Sequence, residues 1–166
     1  MNLIVAVDKE WGIGYKGDLL VRSKDDLKNF AALTTGKVVI LGSNTLATFP
    51  GGRVLKNRVN IVLHPSSDYA PEGAVVAHSI DEAVRIAKQY NSDDVFVIGG
   101  ASVYKQMLPY CDRAYVTKFE KSYIKDAYFP NLDEDPQWHL DKVSELVHSE
   151  SDGQECNFYF TEYVRS

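Results

Sequence analysis

Asp26 falls in the opening turn of a helical pattern, directly after a glycine-rich stretch. A carboxylate there, facing an apolar cleft, can accept two parallel hydrogen bonds from a flat heterocycle with adjacent N–H donors. The spacing has a second reading. Ser23-x-x-Asp26 is also a capping-box pattern, and acids favour helix N-termini whatever their function. Asp25 beside it reads as a solvated first-turn acid. Gly99-Gly100 points to different chemistry. It closes the apolar run Val95–Ile98 and opens the helical pattern Ala101–Leu108. Paired glycines between strand and helix let a ligand approach bare backbone, and first-turn N–H groups suit an anion such as phosphate. A plain tight turn reads the dipeptide equally well. Arg58 leads into Asn60–Leu63, where a guanidinium can fork onto a carboxylate. Arg53 and Lys56 are close by, and a solvated surface charge is the competing reading for each. Gly12, Gly14 and Gly17 suggest a segment able to change its dihedrals, as an active-site lid must. An ordinary surface loop is the alternative, although such loops seldom carry both Trp11 and Ile13.

These residues need elements to hold them. Leu3–Val7 is an apolar, β-branched run that reads as a buried strand, followed by a loop over Trp11–Asp18. A helix follows from about Lys24, with Leu27, Phe30 and Ala31 on one face. Val38–Leu41 is a second strand, then a short helix Ser43–Thr48 breaks at Pro50-Gly51-Gly52. Asn60–Leu63 and Ala74–Ala77 are further strands. Ser79-Ile80-Asp81-Glu82 opens a helix to about Tyr90. Val95–Ile98 is the fifth strand, and the helix after Gly100 ends before Pro109. Arg113–Phe119 alternates as a strand. Trp138–His148 and Glu155–Val164 read as a long β-hairpin around Ser151-Asp152-Gly153. Strands alternating with helices, then an antiparallel end, argue a mostly parallel α/β sheet with an antiparallel edge.

Composition narrows the chemistry. The 166 residues are enough for one ordinary domain with a real core. The net charge is −5 and no run of five basic residues occurs, so nucleic acid and anionic membrane are poor partners. The start, Met1 to Glu10, has no basic lead and turns charged by Asp8, and no run approaches a membrane span, so the expectation is a soluble cytoplasmic protein. Cys111 and Cys156 are too few for a disulfide framework and read as buried, reduced thiols. The four histidines show no metal spacing, so no metal site is expected. Neither a G-x-S-x-G nor a Walker-type loop is present, and Gly99-Gly100 is not a G-x-G-x-x-G.

Read in order, the pieces resemble dihydrofolate reductase over nearly the whole chain. They are Leu3-Ile4-Val5-Ala6-Val7, Gly12-Ile13-Gly14, Asp26-Leu27-x-x-Phe30, Gly36-Lys37-Val38-Val39-Ile40-Leu41-Gly42-x-x-Thr45, and Leu55-x-x-Arg58-x-Asn60-Ile61-Val62-Leu63. Val97-Ile98-Gly99-Gly100-x-x-Val103-Tyr104, Tyr115-x-Thr117 and Asp126-x-x-Phe129-Pro130 complete the set. Each is common alone; all in register are not. The resemblance implies a single α/β domain over residues 1–166. Its central eight-stranded sheet would be mostly parallel, with an antiparallel C-terminal hairpin and about four flanking helices. It implies reduction of 7,8-dihydrofolate to 5,6,7,8-tetrahydrofolate by NADPH, with hydride added at C6 and a proton at N5, in support of one-carbon metabolism. The implied protein is a cytoplasmic monomer acting on a small molecule.

Site residues follow from the resemblance position by position. Asp26 would bind the pterin ring N–H and exocyclic amino group and favour protonation of the pterin, and Thr117 would orient it by a hydrogen bond. Val5, Ala6, Leu27, Phe30, Phe49, Leu55 and Ile98 would surround the substrate, and Arg58 would pair with its glutamate tail. Ala6 and Ile13 would border the nicotinamide, with Gly14, Gly17, Asp18 and Leu19 also on the cofactor. Gly42, Ser43, Asn44 and Thr45 would serve its phosphates, Gly42 and Thr45 through a helix N-terminus. Leu63, His64, Pro65 and Ser66 would contact the cofactor further on. Ile98, Gly99, Gly100, Ala101, Ser102, Val103 and Tyr104 would complete its site, with Gly99, Gly100 and Tyr104 against the nicotinamide ribose and pyrophosphate.

Several positions depart from the family pattern. Leu20-Val21 stands where Pro-Trp is usual, and valine cannot donate the hydrogen bond that helps hold a water near the substrate. Ser23-Lys24 replaces Leu-Pro ahead of the acid. Ser43, His64-Pro65-Ser66-Ser67 and Ser102 stand where the family often has arginine or lysine for the cofactor's phosphates. The missing arginines make NADH an alternative cofactor, with His64, Ser66 and Ser67 as partial replacements. The competing readings are a related pterin or pyrimidine reductase, and a diverged folate- or nucleotide-binding paralogue with little turnover.

Overall fold

A computed structural model describes all of residues 1–166. In chain order the elements begin with β1 (Asn2–Val7), β2 (Gly12–Tyr15), β3 (Asp18–Leu19), α1 (Lys24–Thr34), β4 (Val38–Gly42), α2 (Ser43–Ala47), β5 (Val59–Leu63) and β6 (Ala74–Ala77). They continue with α3 (Ile80–Ala87), β7 (Val95–Gly99), α4 (Ala101–Met107), β8 (Arg113–Phe119), β9 (Ala127–Tyr128), β10 (Trp138–Val143), β11 (Glu150–Ser151), β12 (Gln154–Glu155) and β13 (Phe158–Arg165). Eight strands form one sheet in the order β10-β13-β8-β1-β7-β4-β5-β6. The pairs β1/β7, β7/β4, β4/β5 and β5/β6 are parallel, while β8/β13 and β13/β10 are antiparallel. This is the mostly parallel sheet with an antiparallel end and four α-helices that the sequence implies. No helix is long and apolar enough to cross a membrane.

The chain divides into two compact units, Met1–Leu3 with Leu33–Cys111, and Ile4–Ala32 with Asp112–Ser166. In the first, the inner parallel strands form the core: Val38 through Leu41, Ile61, Val62 and Val95 through Ile98 are all buried, while the edge strand β6 is partly exposed. Such continuous apolar runs are what a parallel sheet covered on both faces demands. The register slips between Ile40 and Leu41, where Leu41 pairs with Gly99 rather than Ile98. A local irregularity therefore sits where β7 runs into the paired glycines. Ser79 caps α3, its Oγ accepting from Glu82 N (3.1 Å). That helix ends at Ala87, short of Tyr90, because its last turn tightens to i→i+3 bonds, Gln89 N to Ile86 O and Tyr90 N to Ala87 O.

In the second unit, β13 lies between β8 and β10, with Thr117 opposite Phe160 and Ala114 opposite Tyr163. The long hairpin expected from Trp138 to Val164 is broken. β10 stops at Val143: Ser144 N still donates to Phe160 O (2.8 Å), but Phe160 N is taken by Ser144 Oγ (2.9 Å) instead of a strand carbonyl. Pairing resumes at a single bridge, Val147 with Phe158, and β11 and β12 form a separate small hairpin through Asp152 and Gly153. The expected loop Trp11–Asp18 is also different: it supplies β2 and β3, which join β9 in a three-stranded sheet. Lys16 (φ 49°) and Gly17 (φ 79°) make its tight turn, and both left-handed positions suit a two-residue hairpin. Trp11 is 6% exposed, stacked on Phe129 and edge-on to Tyr163, which accounts for a tryptophan beside so many glycines.

Candidate active site

Within the second unit, α1 and β8 bring Asp26 and Thr117 together. Thr117 is 3% exposed and its hydroxyl donates to Asp26 Oδ1 at 2.7 Å. Burial raises the Asp26 carboxyl above its ordinary value, and the Thr117 hydrogen bond pulls it down only in part. The capping reading is also realised, but through the backbone. Ser23 Oγ accepts from Asp26 N (3.2 Å) and Ser23 O from Leu27 N (2.9 Å), so Ser23 starts the helix while the Asp26 carboxylate stays turned to Thr117. Asp25 is exposed but not merely solvated: its Oδ2 accepts from the Ser149 hydroxyl (2.8 Å), which also lies 2.7 Å from Ser23 Oγ. Ser149 gave no local signal, since it lies 126 positions from Ser23.

Ala6, Ile13, Leu19, Leu20 and Val21 line a small apolar recess with Phe119 and Tyr123. Val21 packs with Ala6 and Tyr123 on the Phe119–Cys156–Phe158 cluster, so this wall offers no hydrogen-bond donor from Val21. Val5 is buried beside Ala6 on β1, Phe30 is half-buried and Leu27 is 43% exposed on α1. Gly14 is buried in β2, where its carbonyl accepts from Asp126 N (2.9 Å). Gly17 occupies the exposed turn, Leu19 is 50% exposed, and Asp18 pairs with Arg22 at 2.7 Å.

Asp8 anchors the glycine segment. Its buried carboxylate accepts from Glu10 N (2.9 Å), Gly12 N (2.9 Å), Tyr123 N (3.0 Å) and Lys125 Nζ (2.7 Å). Burial opposes its ionisation, but Lys125 and the three backbone donors outweigh that and hold it below the usual value. Lys125 also donates to Glu10 Oε1 (2.7 Å) and Tyr123 O (2.9 Å), and bonds to the two acids push its ammonium up to about 12. A side chain at Gly12 would overlap Lys125 Cδ and so would displace Lys125 from its place on Asp8.

The first unit carries a cavity of about 510 Å³. Gly42, Ser43, Asn44, Thr45, Leu63, His64, Pro65, Gly100, Ala101, Ser102 and Val103 line it, all expected on the cofactor. His78, Ser79, Ile80 and Gln106 line it too and were not expected. The signal that could have found His78 is its place directly before the Ser79 cap of α3. Ile98, Gly99 and Tyr104 are buried beneath, and Ser66 donates its N–H to His64 Nδ1 (3.0 Å). Gly99 has φ +135°, and a Cβ at Gly100 would stand 3.1 Å from Thr45 Oγ1. The cavity floor is therefore bare backbone that a side chain would fill. Its lining holds no lysine, arginine, aspartate or glutamate.

Phe49 and Leu55 are half-buried in the same unit. Arg58 donates to Thr34 Oγ1 (3.0 Å) and Lys56 O (2.9 Å), and burial holds its guanidinium below its ordinary value. It is therefore a braced side chain, not a wholly solvated charge. Asn60 does the bracing of the segment. Only 1% exposed, it accepts from Leu55 N (3.0 Å) and donates to Leu55 O (2.9 Å) and Arg58 O (3.1 Å).

Comparisons with known proteins agree with this geometry. A family model described as dihydrofolate reductase matches residues 1–165. The chain is 32% identical over 165 residues to the dihydrofolate reductase of Staphylococcus haemolyticus, covering 99% of this chain and 96% of that one. It is 32% identical over 166 residues to that of Bacillus subtilis (strain 168), covering 100% and 96%. Dihydrofolate reductase from Enterococcus faecalis, solved in complex with NADP(H) and RAB-propyl, superposes with a TM-score of 0.84 at 32% identity, covering 99% of this chain and 95% of that one.

Proposed function

The chain belongs to the dihydrofolate reductase family, and from that premise we propose that it reduces 7,8-dihydrofolate to 5,6,7,8-tetrahydrofolate with NADPH. The observation that carries this reading is the buried Asp26 carboxyl held by Thr117. Its second oxygen and the Thr117 hydroxyl suit a pterin's adjacent N–H and amino donors. A carboxyl raised by burial stays poised to share a proton with the heterocycle when it needs one at N5. The apolar recess at Ala6, Ile13, Leu20 and Val21 keeps bulk water off the reacting face. Arg58, braced by Thr34 and the Asn60-stapled segment, is the group for the substrate's carboxylate tail.

The bare-backbone cavity suits a dinucleotide: Gly42, Thr45, Gly100 and Ala101 would hold its phosphates and Leu63, His64 and Pro65 its adenosine side. Bound NADPH supplies the hydride for C6. The finer part of the reading concerns cofactor choice. With no arginine or lysine in the lining, NADH serves as well as NADPH to within a modest factor, each missing charged phosphate contact being worth about 1.5–3 kcal/mol. We further take the enzyme to be a monomer of the cytoplasm; the free, buried thiols of Cys111 and Cys156 support the compartment. Nicotinamide oxidation by the purified protein, with dihydrofolate and either cofactor, tests the proposal. Turnover with both at comparable KM is expected. Silence with both overturns the reductase reading, and a far lower KM for NADPH overturns the cofactor part alone.

A further inference from the structure

In the second unit a chain of hydrogen bonds runs from the Asp26 backbone to the segment between β10 and β11. Asp26 N donates to Ser23 Oγ (3.2 Å), Ser23 Oγ lies 2.7 Å from Ser149 Oγ, and the Ser149 hydroxyl donates to Asp25 Oδ2 (2.8 Å). A carboxylate only accepts, so Ser149 places its one proton there, and Ser23 supplies the proton between the two hydroxyls. All three bonds then point one way and end on a charge, an arrangement in which each bond strengthens the next. Ser23 is 1% exposed and Ser149 6%, so water hardly competes for either hydroxyl. Ser149 is itself held: its N–H donates to Asn157 Oδ1 (3.1 Å) and its carbonyl accepts from Cys156 N (2.8 Å). Asn157 O accepts in turn from Glu120 N (3.1 Å), one residue past β8. β8 also carries Thr117, which lies opposite Phe160 of β13. The frame that presents Thr117 to the Asp26 carboxylate therefore also presents Ser149 to the backbone turn that carries it.

We propose that Ser149, backed by Asp25, is a positioning residue for the reduction: it anchors the first turn of α1 and so fixes where the Asp26 carboxyl points. The inference rests on the reading of Asp26 as the acid that meets the pterin. Thr117 fixes one carboxylate oxygen, and a group held at one point can still swing about it. The second anchor acts on the backbone, where the bonds from Ser23 and to Asp25 converge on Ser149 immediately ahead of Asp26. Without the Ser149 hydroxyl, Ser23 Oγ still accepts from Asp26 N, so the helix cap survives while the anchor is lost. Neither Ser149 nor Asp25 lines the recess at Ala6, Ile13 and Val21, so both act through Asp26. The anchor belongs to this chain's own departure from the family pattern, since a leucine at 23 has no hydroxyl. Misorientation of the acid costs most in the transition state, where the proton travels in a defined direction. It costs less in ground-state binding, which draws also on the apolar wall and on Arg58.

Steady-state turnover of dihydrofolate by the full chain, with the nicotinamide cofactor saturating, tests this. Ser149→Ala lowers kcat about tenfold, the effect of one hydrogen bond to a charged group, while KM for dihydrofolate changes less than about twofold. Asp25→Ala, at an exposed site that folding tolerates, does the same. Asp25→Asn keeps an acceptor for the Ser149 hydroxyl and loses only about twofold. The double variant Ser149→Ala/Asp25→Ala loses no more than either single one, because the same chain of bonds is broken once. In an Asp26→Asn background Ser149→Ala leaves kcat where it is, a result that general loosening of the fold does not give. Unchanged kcat in both Ser149→Ala and Asp25→Ala overturns the inference and leaves the reductase reading standing. So does a tenfold loss from Ser149→Ala that persists in the Asp26→Asn background, or an Asp25→Asn as impaired as Asp25→Ala, which reduces the effect to charge. No turnover by the unaltered protein with either NADPH or NADH overturns both.

Discussion

At Asp26 burial and hydrogen bonding oppose each other, and burial wins, so the folded protein holds this proton more tightly than the unfolded chain does. The sign follows. The stability tied to this group is complete at low pH and is lost as pH rises from the ordinary value of 3.8 through the raised folded value. Asp26→Asn cannot ionise, yet its amide oxygen can still accept from Thr117. The variant should lose about 10²–10⁴-fold in turnover near neutrality while gaining stability relative to the unaltered protein between about pH 4 and pH 7. Urea midpoints at the two pH values check the second part, and a stability difference that does not change between them would count against a buried acid. Thr117→Val keeps the β-branched shape and removes the downward pull. The pH profile of turnover should then move to higher pH, with kcat/KM falling about tenfold. The acid itself was legible in the sequence, as was its capping serine. Its partner was not legible from spacing, because Thr117 lies 91 positions away on another element and only the family resemblance supplied it.

Elements were legible where one local rule governed them. The buried parallel strands declared themselves by unbroken apolar runs, and α3 by its Ser79 cap. The glycine segment misled because its pairing is supplied from far away: Phe129 N donates to Trp11 O and Asp126 N to Gly14 O. Nothing between Trp11 and Asp18 records that partner. The same long-range logic gives Lys125 its place, clamping Asp8 and Glu10 more than a hundred positions upstream. Asp8, held low, contributes stability above the ordinary 3.8 that is lost as pH falls through its folded value. Lys125 contributes below its ordinary 10.5, and this is lost as pH rises through about 12. Lys125→Met strands a carboxylate whose side chain is 0% exposed, whereas Lys37→Met breaks a pair at 41% and 43% exposure. The first variant should lower the unfolding temperature clearly and the second hardly at all. Equal shifts in a thermal scan would mean that the clamp does not hold the β2–β9 sheet.

At the scale of the whole molecule, the chain asks a protein of net charge −5 to bind anionic ligands with few local cations. Association is then governed by two opposing fields. Mean charge repels a polyanionic cofactor, while a basic cavity would attract it, and here the lining has no lysine or arginine to do so. Added salt screens whichever field dominates. A site built on arginine loses its attraction, and KM for NADPH rises with ionic strength. This cavity loses chiefly the repulsion. Between about 20 and 200 mM salt, where the Debye length shortens about threefold, KM for NADPH should stay flat or fall, and KM for NADH should follow it closely. Steady-state kinetics with the two cofactors side by side isolate the effect. A KM for NADPH that climbs severalfold while that for NADH stays still would reveal a cationic phosphate contact outside the lining, and would move the search to the arginines and lysines around it, Arg53 and, on α4, Lys105 first. The opposite result would tie weak phosphate discrimination to the serines at 43 and 102 and to His64-Pro65, the same departures from the family pattern that the sequence displays.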